Sequence, residues 1–519
     1  MASLSFIIFC PLLAALLIAA IPRNFKVLFR LIALGATFLP ALAAVRLFLG
    51  MEPASGRLQY EEFVPWVYSL GISYHVGVDG LNIGLILMGA IVGFAAACIS
   101  REITDREKEF YLLLLLMTGG ILGAFASYDL FFFYFFHELA LVPTFIMIGV
   151  WGRGDRKNYA TFKITLYLSL GALLSLIGLL ALYLQAGGQT FNIVELTRRL
   201  SANPLSPGAQ QAIFPLLMFG FGILVSLWPF HTWAPLGYAA APTATAMMHA
   251  GVIKKFGLYG LLRVAVPLLP AGAESWLPVL ALLCLGNLVY CGLVAMRQRD
   301  FNLLLGNSSV AHMGFVFLGI ASLSLVGVTG AVLVMVAHGF LAALSFALSG
   351  YLHQRLGTLE MVQMGGLLKR LPFIGTVLAM ALLAGCGLPG FANFPGEALV
   401  LFGAVKAGQW WVILAAWSGL VIGGVYMLRA IRQILHGHLP ERWAGVPDAP
   451  HAWHKLPYAL LLAGLVVFGC FPGLLTKRIQ PNASRIVQAV NGPMLAGFPG
   501  EPEAAGYWLA RGRKVTGHE

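Results

Sequence analysis

What most limits this chain is the length of its uncharged stretches. Runs of about 20 apolar residues, each enough for one transmembrane helix, succeed one another from Phe6 to Phe471 with mostly short polar breaks. The composition agrees: 59% of the 519 residues are hydrophobic and 10% are charged, against roughly 45–50% and 25% in soluble domains. Most of the chain must therefore lie in lipid. Reading for stretches of that length gives about fourteen, near 3–21, 27–49, 78–99, 110–127, 129–150, 160–186, 211–230, 241–265, 276–296, 303–325, 328–353, 371–405, 409–436 and 456–476. The expected fold is an all-α polytopic membrane protein. The basic group Arg23 to Arg30 follows the first stretch instead of preceding it, so that stretch reads as a retained helix and not a signal peptide.

The net charge is +12, but the basic residues flank apolar spans and do not gather on a soluble face. They predict topology, and no nucleic-acid partner. Groups follow the odd-numbered spans: Arg23, Lys26 and Arg30; Arg101, Arg106 and Lys108; Arg153, Arg156 and Lys157; Arg297 and Arg299; Arg355, Lys369 and Arg370; Arg429, Arg432, Arg442 and Lys455. Far fewer follow the even-numbered spans, which places both termini on the periplasmic side of a bacterial inner membrane. The six cysteines lie within or at the ends of apolar spans with no Cys-x-x-Cys pair, so disulfides, zinc and iron–sulfur clusters are not expected. No strand leads into a Gly-x-Gly-x-x-Gly turn and no soluble segment is long enough to hold a dinucleotide. The chain itself is not expected to bind NADH.

The longer polar breaks are 51–77, 187–210, 437–455 and the tail after Ser484. The first is aromatic and acidic (Tyr60, Glu61, Glu62, Trp66, Tyr68), as an ordered interfacial cap would be. The tail reads as a surface arm or a disordered segment. Two apolar spans are interrupted. Pro229 and Pro235 fall near the end of span seven, and Gly385, Gly387, Pro389, Gly390, Pro395 and Gly396 crowd the middle of span twelve. Proline removes a backbone donor and glycine weakens a helix, so both spans should break near mid-membrane, where irregular backbone survives only inside protein or along a wet cavity. The breaks are five spans apart, as two five-helix repeats would place them. The resulting organisation is 1–109 (spans one to three with the interfacial loop), 110–270 (first repeat, spans four to eight), 271–437 (second repeat, spans nine to thirteen), 438–484 (span fourteen) and the tail 485–519.

A charge at the bilayer centre costs at least about 2.5–3.5 kcal/mol on insertion scales, so each ionisable residue inside a span is a functional candidate. Glu138 lies among Phe131, Phe132, Phe133, Tyr134, Phe135, Phe136 and His137; it reads as a proton-handling carboxyl over a static interhelical hydrogen bond. Lys254 and Lys255 are adjacent, and a desolvated lysine is a usable proton carrier. Neighbours on a helix point about 100° apart, so one of the two is expected to face a channel and the other to snorkel to the interface. Glu397 follows the second break and reads as a proton gate over a helix cap. Lys163, near the start of span six, belongs either to the relay or to the membrane surface. His231, His249, His312 and His338 are spread over separate spans and serve as relay groups or as interhelical hydrogen-bond partners. The histidine spacing does not suggest a metal site.

At these residues the sequence resembles subunit M (subunit 4) of complex I, an antiporter-like family related to subunits of multisubunit cation/proton antiporters. The resemblance is carried by Gly77-Val78-Asp79-Gly80-Leu81, the Phe-rich run through Glu138 to Trp151-Gly152, Ala241-Pro242-Thr243-Ala244, and Ala250-Gly251 through Arg263. It continues in Ser308-Ser309-Val310-Ala311-His312-Met313-Gly314, Ala337-His338-Gly339, Met364-Gly365-Gly366-Leu367 and Gly387-Leu388-Pro389-Gly390 leading to Gly396-Glu397. It implies an antiporter-like fold with two inverted five-helix repeats, and a proton relay from Glu138 through Lys255, His312 and His338 to Glu397. It also implies partners: other antiporter-like subunits, a quinone-reducing module and a peripheral arm that holds NADH, FMN and iron–sulfur clusters. One position departs from the family, which has a lysine five residues before the proline matching Pro229; here it is Leu224. Glu138 thereby loses its expected cation, and His137 and His231 are the nearest substitutes. The same fold also suits a cation/proton antiporter subunit, a hydrogenase-associated subunit, or a structural subunit that no longer pumps.

Overall fold

The computed structural model describes residues 3–408 and 410–492, and the chain is mostly helical. The first two apolar stretches are α1 (Leu4–Ala20) and α2 (Lys26–Gly50). The loop after them corrects the all-α expectation, because it holds a hairpin of β1 (Gln59–Val67) and β2 (Ile72–Val78) in antiparallel register, Val67 opposite Ile72 and Gln59 opposite Val78. Apolar Ile72, Tyr74, Val76 and Val78 alternate along β2 with Ser73, His75 and Gly77, the period of a strand. There follow α3 (Ile83–Ile99), α4 (Glu107–Ala126), α5 (Leu130–Trp151) and α6 (Lys157–Gln185). The carboxylate of Asp129 caps α5, accepting from the amides of Phe131 at 2.9 Å and Phe132 at 3.3 Å. The polar break at 187–210 contains α7 (Ile193–Ala202), which buries Ile193, Leu196 and Leu200 and pairs Glu195 with Arg198 and Arg199 on its other side.

Span seven is broken into α8 (Pro207–Val225) and α9 (Trp233–Ala240). Span eight runs as α10 (Thr243–Met248), a π-helical turn at His249–Ile253, α11 (Lys255–Gly260), a second π turn at Leu261–Ala265 and α12 (Val266–Leu268). Span nine is α13 (Pro270–Leu285) and α14 (Gly292–Arg297) around a third π turn at Gly286–Cys291. Then come α15 (Phe301–Ala321) and α16 (Leu325–Leu356). Span twelve is also broken, into α17 (Pro372–Gly385) and α18 (Asn393–Lys406). The chain continues through α19 (Trp410–Leu435) and α20 (Ala452–Cys470). It then enters α21 (Gly473–Asn491), an amphipathic helix that buries Leu475, Ile479, Ile486 and Val487. Residues 485–491, expected as the start of an arm, are the last turns of α21; the rest of that tail, 493–519, lies outside the described residues. Ten helical stretches among the described residues are long and apolar enough to cross a membrane, and Leu4–Ala20 and Pro372–Gly385 are shorter apolar helices.

Polar contacts divide the molecule into two ends. At one, Arg30 pairs with Glu107 at 2.8 Å and Arg23 with Glu109 at 2.6 Å, while Glu102 gathers Arg153, Thr243 and Gln354. The basic breaks after the odd-numbered spans therefore share one end. At the other, Glu62 of the hairpin accepts from Ser3, Leu4 and Ser5, and His75 meets Asn192 at 2.7 Å. Here also Asp79 and Arg263 form a buried bidentate ion pair at 2.7 and 2.6 Å, which Asn482 of α21 joins at 3.0 Å. Between the two ends lies α16, buried along nearly all of its length and packed against α3, α10, α15, α18 and α20.

Candidate functional site

The two breaks shape the site because their free backbone groups must find partners inside the protein. At the first, Asn287 of the third π turn does this: its Oδ1 accepts from the Trp228 amide at 2.8 Å, and its Nδ2 donates to the carbonyls of Ser226 and Val310 at 2.9 and 3.1 Å. At the second, the free Gly385 carbonyl lies 3.2 Å from His312 Nε2. Gly387 is needed there for two reasons. Its φ is +69°, and a β-carbon on it would stand 2.6 Å from Glu397 Oε2, so the bare backbone leaves the room the carboxyl occupies.

From Glu397 a row of ionisable groups runs inward. Glu397 Oε1 is 3.8 Å from His312 Nε2. A cavity of about 10 Å³, enough for roughly one water molecule, is lined by these two side chains with Cys386, Gly385 and Tyr426. His312 Nδ1 is 2.8 Å from the Ser308 carbonyl, so both ring nitrogens face acceptors. A neutral ring can donate to one of them; a protonated ring donates to both. The ring centroids of His312 and His338 are 5.5 Å apart, a spacing that a single bridging water can close. His338 Nδ1 then meets Lys255 Nζ at 2.8 Å, and the amine donates to the Ala250 carbonyl at 2.6 Å. All four side chains are buried, with Lys255 0% exposed. Ala250 belongs to the π turn, whose wider winding frees carbonyls from the regular ladder.

The pair of lysines departs from expectation. Lys254 is 1% exposed and does not snorkel; its Nζ donates to Ser309 Oγ at 3.0 Å and lies 5.6 Å above the Tyr238 ring. Regular helical spacing sends the two side chains in different directions, and here both directions are filled with protein: α15 on one side, α16 on the other.

The remaining candidates form a second, looser group. His137 stacks on Phe256 with centroids 3.8 Å apart, and its Nδ1 is 3.8 Å from Glu138 Oε1. His137 is thus the neighbour that the missing lysine leaves to Glu138, while the described ring contact of His231 is with Tyr290. The Glu138 side chain is 31% exposed, and its Oε1 has no hydrogen-bond partner. Leu224 is buried in the last turn of α8. His249 faces Tyr238 Oη at 3.4 Å and the edge of Trp233. Lys163 lies half-buried over Tyr159. The structure therefore joins Lys255, His338, His312 and Glu397, keeps His137 with Glu138, and leaves His231 beside Tyr290 and Lys163 over Tyr159.

Sequence reasoning missed Asn287, Ser308, Ser309, Tyr238 and Tyr426 as parts of the site. Neutral polar residues in long apolar runs were the available signal. Among the described residues no group of three or more His, Cys, Asp or Glu could hold a metal ion.

Comparison with known proteins accords with this geometry. Residues 127–423 match the family described as NADH:quinone oxidoreductase/Mrp antiporter, transmembrane. NADH-quinone oxidoreductase subunit M of Rhodobacter capsulatus is 34% identical over 502 residues, 93% of this chain and 96% of that one. A chain of respiratory complex I from Thermus thermophilus superposes with a TM-score of 0.86 at 28% identity, covering 95% of this chain and all of that one. A chain of the Mrp complex from Dietzia sp. DQ12-45-1b has the same fold, with a TM-score of 0.81 at 20% identity over 94% of this chain and 99% of that one. With the broken helices and the buried row of Lys255, His338, His312 and Glu397 in place, the chain belongs to the antiporter-like family of NADH:quinone oxidoreductase membrane subunits.

Proposed function

We propose that this chain is a proton-translocating membrane-arm subunit of an NADH:quinone oxidoreductase. Protons pass through Lys255, His338, His312 and Glu397, and the energy comes from quinone reduction in another subunit. The observation that carries this reading is the row itself. Four buried ionisable side chains, each costly in lipid, converge on two helix breaks with spacings that one proton transfer or one water can close. A structural subunit would have no use for such a row. The fourteen apolar spans cross the membrane as two inverted five-helix repeats, 110–270 and 271–437, with spans one to three before them and 438–484 after. Both termini and the hairpin face the periplasm of a bacterial inner membrane, and the end rich in arginine and lysine faces the cytoplasm.

Glu138 handles protons at the far end of the path, with His137 as its immediate partner and His249 between it and the lysines. Its side chain is partly exposed on α5, too costly for a carboxyl to leave in lipid, so a neighbouring membrane subunit covers it. Lys163 and His231 serve the same path near the first break. NADH, FMN, the iron–sulfur clusters and quinone reside in partner subunits; this chain contributes no redox centre.

Purification of the native assembly tests the reading. The expected preparation contains a flavin and iron–sulfur arm and reduces quinone with NADH. A preparation with no redox module that exchanges sodium for protons would contradict it and favour an antiporter complex.

A further inference from the structure

Lys254 has no assigned part in the path above, yet its surroundings are not those of a spare residue. The ammonium side of the chain is enclosed by neutral groups: Ser309 Oγ at 3.0 Å, the Ser309 carbonyl at 3.4 Å and the Tyr238 ring at 5.6 Å. No carboxylate pairs with it or with Lys255 among the described residues. Two adjacent amines without a counter-charge cannot both be ionised at modest cost, so they titrate as a unit that holds one proton.

The two amines also lead to different places. Lys255 opens on His338 and the row to Glu397. Lys254 opens on Tyr238, whose hydroxyl is 3.4 Å from His249 Nδ1 and whose ring packs on the His249 ring at 5.6 Å. The π turn at His249–Ile253 places His249 at its start and leads directly into Lys254 and Lys255. The His249 Nε2 atom is buried and has no hydrogen-bond partner, so that ring has a nitrogen free to take or give a proton.

We infer that Lys254 is a second proton-carrying amine of this chain, sharing one proton with Lys255 and turning it from the His338 side to the Tyr238 and His249 side. The transfer is balanced. An N–H bond breaks at Lys255 Nζ and one forms at Lys254 Nζ, through intervening water, with no change in net charge and no further reactant. Lys254 is thereby the junction between the row ending at Glu397 and the group around His137 and Glu138.

The inference rests on the proton-translocating reading, and the test separates the two. The assembled complex is prepared with Lys254→Met, Lys254→Arg, Lys254→His and Lys255→Met, and proton uptake per electron is measured in proteoliposomes beside NADH:quinone activity. A carrier must release its proton. Methionine cannot hold one and arginine does not give one up, so both variants at 254 are expected to lose proton uptake severalfold, and Lys254→His to recover part of it. Full uptake in Lys254→Met, or recovery by arginine but not by histidine, would overturn the inference. In that outcome a loss in Lys255→Met leaves the translocating reading standing; full uptake in Lys255→Met as well would sink both. Should Lys254→Met fail to assemble, Lys254→Arg and Lys254→His decide alone, because a structural cation is replaced by arginine and a carrier is not.

Discussion

The two halves of the proposed path are built differently. On the Glu397 side, Lys255 meets His338 directly, His312 lies between His338 and Glu397, and carbonyls freed by the π turn and by the second break supply acceptors for Lys255 and His312. On the Glu138 side the packing is aromatic. His137 is stacked on Phe256, Phe256 on Phe133 at 4.3 Å, and the place of a family lysine is taken by buried Leu224. A proton finds a graded set of sites in the first half and a single histidine–carboxyl pair in the second. The difference teaches that an antiporter-like chain can keep one half of its path intact while the other loses its cation.

Four substitutions can break or sharpen this contrast, with coupled NADH:quinone turnover in native membranes as the readout. Lys255→Met removes the amine that joins the π turn to His338 and is expected to cut turnover about a hundredfold, the low end of what a positioned proton-transfer group contributes. Glu397→Gln leaves His312 its two carbonyl partners but removes the terminal carboxyl, with an expected loss of about tenfold. Gly387→Ala places a methyl carbon where only 2.6 Å separates it from Glu397 Oε2, at a φ of +69°. Displacing the carboxyl in this way should cost severalfold, and the loss should vanish in a Glu397→Gln background. Glu138→Gln removes the carboxyl from a place with no lysine to face it, and the expected loss is smaller than that of Glu397→Gln. A Glu138→Gln loss as large as that of Glu397→Gln would erase the distinction between the halves.

Much of the frame is legible in the residues. Apolar length locates the helices, and clustered glycine and proline locate both breaks, because backbone freed inside a membrane protein is written as helix-breaking residues. The scarcity of charge makes Glu138, Lys255 and Glu397 stand out. Other features are hidden for physical reasons. A π turn has no sequence period of its own, and the burial of both Lys254 and Lys255 depends on α15 and α16 packing on either side of them, which the local sequence does not reveal. Asn287 and the Asp79–Arg263 pair depend on contacts between residues far apart in the chain. The strand alternation of Ile72 to Val78 was legible but lay in a segment taken for a loop cap. The exposed face of α5 has meaning only beside a partner.

The most direct measurement is the number of protons moved per NADH oxidised by the reconstituted complex, wild type against Lys255→Met, at matched assembly. The account predicts a lower ratio in the variant, because the residual electrons that still reach quinone do so without this chain passing its protons. An unchanged ratio would show that the buried row of amine, imidazole and carboxyl groups carries no protons.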